Sequence, residues 1–232
     1  MSRLLLIETA TYVCSTAVAL DGVCMATSTQ PACPQHAAVL PFQVRTCLSN
    51  AGWKMADLEG VAVSGGPGSY TTLRTGISFA KGLCYALHIP LYSISTLESL
   101  AWQCRILFSG GPARYMPMLD ARRDEVWAAM YDHELRCIRP AAPVILESVA
   151  LRDFLGHPSS RLPVYCCGNG VAKIPDVLRT SYPLVPVPLA CSAEWLASLA
   201  EEKAAKGTAE NLISYIPFYM KDPNITNFVK FS

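Results

Sequence analysis

Arg3-Leu4-Leu5-Leu6-Ile7-Glu8-Thr9-Ala10 is the stretch on which the reading of this chain turns. An aliphatic run that stops on a carboxylate reads as a strand with a polar end. Val13–Leu20 continues in the same aliphatic and β-branched style, Asp21-Gly22 marks a tight hairpin turn, and Val23–Thr29 returns as a third strand. The chain therefore opens with antiparallel strands. Further on the punctuation comes back. Met118-Leu119-Asp120-Ala121-Arg122 leads into a strand that ends at Tyr131-Asp132, as Leu6-Ile7-Glu8-Thr9-Ala10 leads into one that ends at Leu20-Asp21. Later in each half a strand runs into a glycine loop and a helix, first at Val63-Ser64-Gly65-Gly66-Pro67-Gly68 and then at Cys167-Gly168-Asn169-Gly170. The pattern predicts a duplicated α/β unit.

Between these landmarks the periodicity predicts a helix over Gln35–Ala51, with Pro41 near its start and Gly52 as C-cap. Leu58–Ser64 reads as a strand. Tyr70–Leu87 is the clearest helix, with Leu73, Ile77, Ala80, Cys84 and Leu87 on one stripe, and small Gly76, Ala80 and Gly82 that admit a close neighbour. Leu91–Ile94 reads as a strand, and Thr96–Phe108 as a helix capped by Ser95 or Thr96. Ser109-Gly110-Gly111-Pro112 then breaks the chain into lobes 1–108 and 113–232. The second lobe carries strands at Tyr115–Asp120, Glu125–Tyr131 and Val164–Cys167. Its expected helices are one around Leu151–Leu155, one running from the second glycine loop through Val177–Arg179, and Ser192–Lys206, capped by Ser192 and closed by Gly207.

Composition narrows the function. With 232 residues, 51% hydrophobic and only 16% charged, the chain has apolar surface for a large core, for a partner, or for both. A net charge of +1, from 19 basic and 18 acidic residues, lacks the basic excess of a protein that grips nucleic acid by itself, so any dealing with RNA is indirect. The ten cysteines contain no C-x-x-C pair and no zinc spacing, and they read as buried, reduced thiols of a cytoplasmic protein. The N-terminal apolar run is too short for a signal peptide, and no stretch is long enough to span a membrane.

Two facing lobes would put Glu8 and Asp120 at matching strand ends beside a cleft. Such carboxylates can hold hydrated magnesium against nucleotide phosphates. Gly66, Gly68, Ser69, Gly168 and Gly170 would offer backbone N–H groups nearby. This is the logic of the actin/Hsp70/sugar-kinase architecture. The same residues also serve plainer ends: an acidic strand end faces water, and glycine follows a strand wherever the chain turns sharply. Neither loop is a P-loop, and the four histidines His36, His88, His133 and His157 form no H-x-x-x-H pair. No metal site, nucleophile–base pair or peptidase signature is displayed.

Several segments resemble the TsaB (YeaZ) family. Leu5-Leu6-Ile7-Glu8-Thr9-Ala10-Thr11 with Cys14-Ser15-Thr16-Ala17-Val18 is similar to L-x-I-D-T-A-T…C-S-V-A, and Gln35-His36 with Val39-Leu40-Pro41 to E-H-S-x-x-L-L-P. Gly66-Pro67-Gly68-Ser69-Tyr70-Thr71 through Leu73-Arg74-Thr75-Gly76, with Ala80-Lys81-Gly82-Leu83, resembles G-P-G-S-F-T-G-L-R-I-G…A-x-G-L. Ser95-Thr96-Leu97, Asp120-Ala121-Arg122-Arg123-Asp124-Glu125-Val126 and Pro217-Phe218-Tyr219-Met220-Lys221 match S-T-L, D-A-R-x-x-E-V-Y and P-x-Y-L-R. Glu8 replaces Asp, Thr72 replaces Gly, Thr75 stands where Ile is usual, and Lys221 replaces Arg; the match is loose from Leu135 to Pro188.

The resemblance implies an α/β fold of the two-lobed, duplicated actin/Hsp70-like (ASKHA) type. It implies a non-catalytic subunit that scaffolds and activates TsaD in forming threonylcarbamoyladenosine at position 37 of tRNA. TsaE, a small ATPase, joins them, and ATP and metal belong to the partner subunits, with no cofactor here. Self-association through a similar surface is also implied. The two long helices supply the expected partner face at His36, Leu40, Val44, Cys47, Leu73, Gly76, Ala80 and Leu83. The alternative is an active nucleotide-dependent ATPase or phosphotransferase of the same fold, with Glu8 and Asp120 essential.

Overall fold

A computed structural model of the chain describes residues 1–108, 110–146, 149–156 and 162–221. Ser109 of the predicted break, His157, and the end of the second lobe beyond Lys221 lie outside the described residues. The elements run β1 (Arg3–Glu8), β2 (Cys14–Leu20), β3 (Val23–Gln30), α1 (His36–Ala51), β4 (Gly60–Gly66), α2 (Tyr70–Leu87), β5 (Leu91–Ser95) and α3 (Thr96–Phe108). Then come β6 (Arg114–Asp120), β7 (Glu125–Tyr131), β8 (Cys137–Ile145), α4 (Val149–Leu155), β9 (Val164–Cys167), α5 (Asp176–Ser181), β10 (Leu184–Val187) and α6 (Ala197–Ala205).

The strands form two five-stranded sheets, ordered β3-β2-β1-β4-β5 and β8-β7-β6-β9-β10. The second order is the first with every label advanced by five. In each sheet the central strand pairs antiparallel on one side, β1 with β2 and β6 with β7, and parallel on the other, β1 with β4 and β6 with β9. The two-lobed, duplicated α/β architecture follows directly. Glu8 and Asp120 are the last residues of the two equivalent central strands.

Both faces of the first sheet are covered, which is why β1 needs an unbroken aliphatic run. Leu5 and Ile7 pack with Val61 and Val63 under Leu40, Val44 and Cys47 of α1 and Ile77, Ala80 and Cys84 of α2. Leu4 and Leu6 face the other way, onto Leu196, Ala197 and Ala200. The β2–β3 turn has Asp21 at φ 50° and Gly22 at φ 78°, the two left-handed residues that a type I′ hairpin requires. The sheets divide at the predicted break, but the helices do not follow that division. Helix α3, before the break, packs Leu97, Leu100, Ala101 and Cys104 on Tyr115, Leu119 and Ala129 of the second sheet. Residues 193–200, after it, cover the first sheet.

Several expectations are corrected here. Strands β8 and β10 were not expected, because Pro140, Pro143 and Pro186 interrupt their patterns. Both are edge strands, where a missing N–H can face away from the ladder. The helix expected after the second glycine loop is two pieces, a 3-10 turn over Asn169–Lys173 and α5, separated at Ile174-Pro175. Ser192 does not cap a helix with its side chain: a 3-10 turn over Ala193–Leu196 precedes α6, and the Ala193 N–H donates instead to Ser15 Oγ at 3.1 Å. Among the described residues no helix is long and apolar enough to cross a membrane.

Candidate functional site

A cleft of about 540 Å³ opens between the strand ends of the two lobes. Thr11, Gly68 and Ser69 line it from the first lobe, Asp120 and Asn169 from the second, and Lys221 from the tail. Glu8, Gly66, Gly168 and Gly170, expected beside them, are not on its wall; all four are buried.

Glu8 is 1% exposed and turns back on its own chain. One carboxyl oxygen accepts the Ala10 N–H at 2.6 Å, and the other has no hydrogen-bond partner among the described residues. Loss of solvent outweighs the Ala10 N–H and the Ser64 hydroxyl, which favour the anion, and pushes the group up from 4.5 to about 7. Asp120 is exposed, but its charge is already met. Lys173 Nζ lies 2.5 Å from Oδ1 and also donates to the Arg123 and Glu125 carbonyls, while the Arg122 N–H donates to the same carboxylate oxygen at 2.6 Å. A lysine ammonium stands where a cation was expected.

The glycines are similarly occupied by the chain itself. A Cβ on Gly68 would come 2.5 Å from the Ala10 carbonyl oxygen, and one on Gly168 2.4 Å from that of Met118. On Gly66 it would meet the Phe218 carbonyl oxygen at 2.5 Å, and on Gly170 the Met118 carbonyl at 3.0 Å. These loops are glycine-rich because backbone packs on backbone at each of the four α-carbons.

The expected partner face is also corrected. His36, Leu40, Val44, Cys47, Leu73, Gly76 and Ala80 are buried within the chain's own core, and Leu83 is half-buried against it. Gly76 abuts the end of β1, where a Cβ would lie 2.1 Å from Thr9 Oγ1. The small stripe of α2 thus serves a strand end of the same chain. The opposite faces are the free ones. Phe42 on α1 is 61% exposed and Tyr85 on α2 is 77% exposed, and neither helix contains an acidic residue.

Two features escaped the sequence reading. The tail after α6 is a strap. Tyr215 Oη lies 2.6 Å from Ser93 Oγ, the Phe218 N–H donates to the Gly65 carbonyl at 2.7 Å, and Arg74 Nε donates to the Tyr219 hydroxyl at 2.9 Å. Lys221 then pairs with Glu125 of β7, so the strap reaches the second lobe. The second feature is a cluster of Cys14, Cys33 and His36, each buried, whose ligand atoms all lie within 4.8 Å of one another. Only Cys33-x-x-His36 is local in sequence; the β2–β3 hairpin returns the chain to Cys14. All ten cysteines are free, and apart from Cys24 and Cys137 they are buried.

A family model described as TsaD: tRNA N6-adenosine threonylcarbamoyltransferase matches residues 30–229. The tRNA threonylcarbamoyladenosine biosynthesis protein TsaB of Escherichia coli is 34% identical over 136 residues, which are 57% of this chain and 56% of that protein. The match thus spans little more than half the length of this curated relative. The solved structure of YeaZ from Pseudomonas aeruginosa is 28% identical, covers 94% of this chain and all of its own, and superposes with a TM-score of 0.76. An ADPNP-bound activator of 2-hydroxyisocaproyl-CoA dehydratase from Clostridium difficile, at 10% identity and a TM-score of 0.51, shares the fold alone.

Proposed function

This chain belongs to the TsaB (YeaZ) branch of the tRNA N6-adenosine threonylcarbamoyltransferase family, and on that footing we propose that it is a non-catalytic partner subunit. In this reading it scaffolds and activates a TsaD-type catalytic subunit as threonylcarbamoyl is joined to adenosine 37 of tRNA. A TsaE-type ATPase completes the assembly, and ATP and metal reside on those partners. The observation that carries the reading is the state of the two strand-end carboxyls. Glu8 is buried and bonded to its own backbone, and Asp120 is neutralised by Lys173, so neither is free to organise a nucleotide's magnesium.

The docking face in this proposal is the outer side of α1 and α2. Exposed helix faces normally carry both signs of charge; here Phe42 and Tyr85 stand out on surfaces without a single carboxylate. Self-association uses the same face when the catalytic subunit is absent. A near-neutral chain contacts tRNA only through its partners. The free thiols suit a reducing cytoplasm.

The test is tRNA modification in vitro with a matched TsaD, TsaE and a threonylcarbamoyl-adenylate source, with and without this protein. Multiple turnovers only in its presence support the reading. Equal modification without it, together with no binding to TsaD, refutes it.

A further inference from the structure

We propose that Cys14, Cys33 and His36 form a binding site for one zinc ion, which pins the entry of α1 to the start of β2. The three donors lie on three separate segments: the first residue of β2, the loop after β3, and the first residue of α1. They are 0%, 5% and 4% exposed, and their ligand atoms all fall within 4.8 Å of one another. The Cys33 N–H donates to the Tyr12 carbonyl at 2.9 Å, which fixes the loop against the strand entry.

His36 supplies a second, independent observation. Its Nε2 lies 3.2 Å from the Val13 carbonyl oxygen. A carbonyl can only accept, so Nε2 carries the proton and the lone pair is on Nδ1. A ring N–H given to a backbone carbonyl is the outer contact that orients a metal-binding histidine and sets its tautomer.

The donor set selects the metal. Two sulfurs and an imidazole are soft ligands that favour zinc or copper(I) and reject magnesium and calcium. Burial then separates the first two. Zinc(II) with two thiolates and a neutral imidazole is a neutral unit, whereas copper(I) would leave a net negative charge in the core. On binding, the two thiol protons leave to solvent and the Zn–S bonds replace the S–H bonds.

The experiment is metal analysis of the full chain, purified under reducing conditions without added metal, and it is independent of the partner-subunit reading because it needs no partner. The expected result is about one zinc per chain, with cobalt(II) substitution producing thiolate charge-transfer absorption. Cys33→Ser and His36→Ala should each weaken zinc binding by at least about tenfold, while Cys84→Ser, at a buried thiol outside the cluster, retains it. Should the cluster variants not fold, zinc competition against a chromogenic chelator on metal-stripped, reduced wild-type protein decides the matter. Three results overturn the proposal: no zinc uptake by the folded, reduced chain; unchanged zinc affinity in folded Cys33→Ser; or stoichiometric copper(I) binding with no zinc.

Discussion

Replacing Glu8 with Gln tests the state of the cleft at its deepest point. Glutamine keeps the shape and an oxygen to accept the Ala10 N–H, and removes the ionisation; its amide N–H groups add only a pH-independent offset. The folded carboxyl titrates at about 7 against 4.5 for the exposed group. At 1.36 kcal/mol per pH unit that difference is worth about 3 kcal/mol. The sign follows from proton counting. Below pH 4.5 both states of the wild type hold the proton, and no penalty exists. Between 4.5 and about 7 the unfolded chain has lost its proton while the folded chain keeps it, so stability falls as pH rises. Above about 7 the full penalty is in place. Urea unfolding of wild type and Glu8→Gln, across a pH series, should therefore show the variant gaining about 3 kcal/mol on the wild type through that window, with a constant difference outside it. Parallel pH curves would refute the reasoning. A variant that loses ground as pH rises would mean that Glu8 is a stabilised anion.

Four further outcomes are expected. Gly76→Leu should destabilise the chain by about 3 kcal/mol in urea unfolding, because Thr9 Oγ1 stands 2.1 Å from the new Cβ. Tyr85→Asp, on the exposed face of the same helix, should change stability by no more than about 0.5 kcal/mol yet abolish capture of a TsaD-type subunit in a pull-down. Gly66→Ala forces a side chain onto φ +109° and into the Phe218 carbonyl, so the strap should loosen at a cost of about 1–3 kcal/mol, read as faster chymotrypsin cleavage at Phe218 and Tyr219. Titration calorimetry with magnesium and ATP should show no saturable heat, since Lys173 already neutralises Asp120.

The fold was legible wherever local chemistry and tertiary structure agree. Asp21-Gly22 could only turn one way, Gly52 closes α1 at φ 70°, and the stripe of α2 gave that helix its bounds. Strands β8 and β10 were hidden because proline is counted against a strand before one knows that the strand is an edge. The partner face was misread for a related reason. Periodicity identifies the apolar side of a helix, but not whether the sheet of the same chain or a second protein covers it, and Leu40, Val44 and Ala80 went to the sheet. The Cys14–Cys33–His36 cluster was illegible because a hairpin, not a spacing, assembles it.

The glycine loops carry the same lesson to the cleft. In a nucleotide-binding member of this architecture, a bare backbone after a strand leaves room for phosphate. Here the glycine α-carbons also pack on the chain itself, and in both lobes by the same kind of contact. The loop after β4 rests Gly68 on the Ala10 carbonyl just beyond β1, and the loop after β9 rests Gly168 on the Met118 carbonyl of β6. In the first lobe the Ser69 N–H is taken as well, donating to the Ala10 carbonyl at 2.7 Å. The amide that would otherwise point at a ligand thus closes the loop onto the strand entry. Glycine is needed at these positions whether or not a ligand ever arrives, because any Cβ would part the central strand of each sheet from its neighbouring loop. A glycine signature in this fold is therefore a statement about how strand and loop pack. The chemistry of the cleft has to be judged from its charges, where Lys173 meets Asp120 and Lys221 meets Glu125.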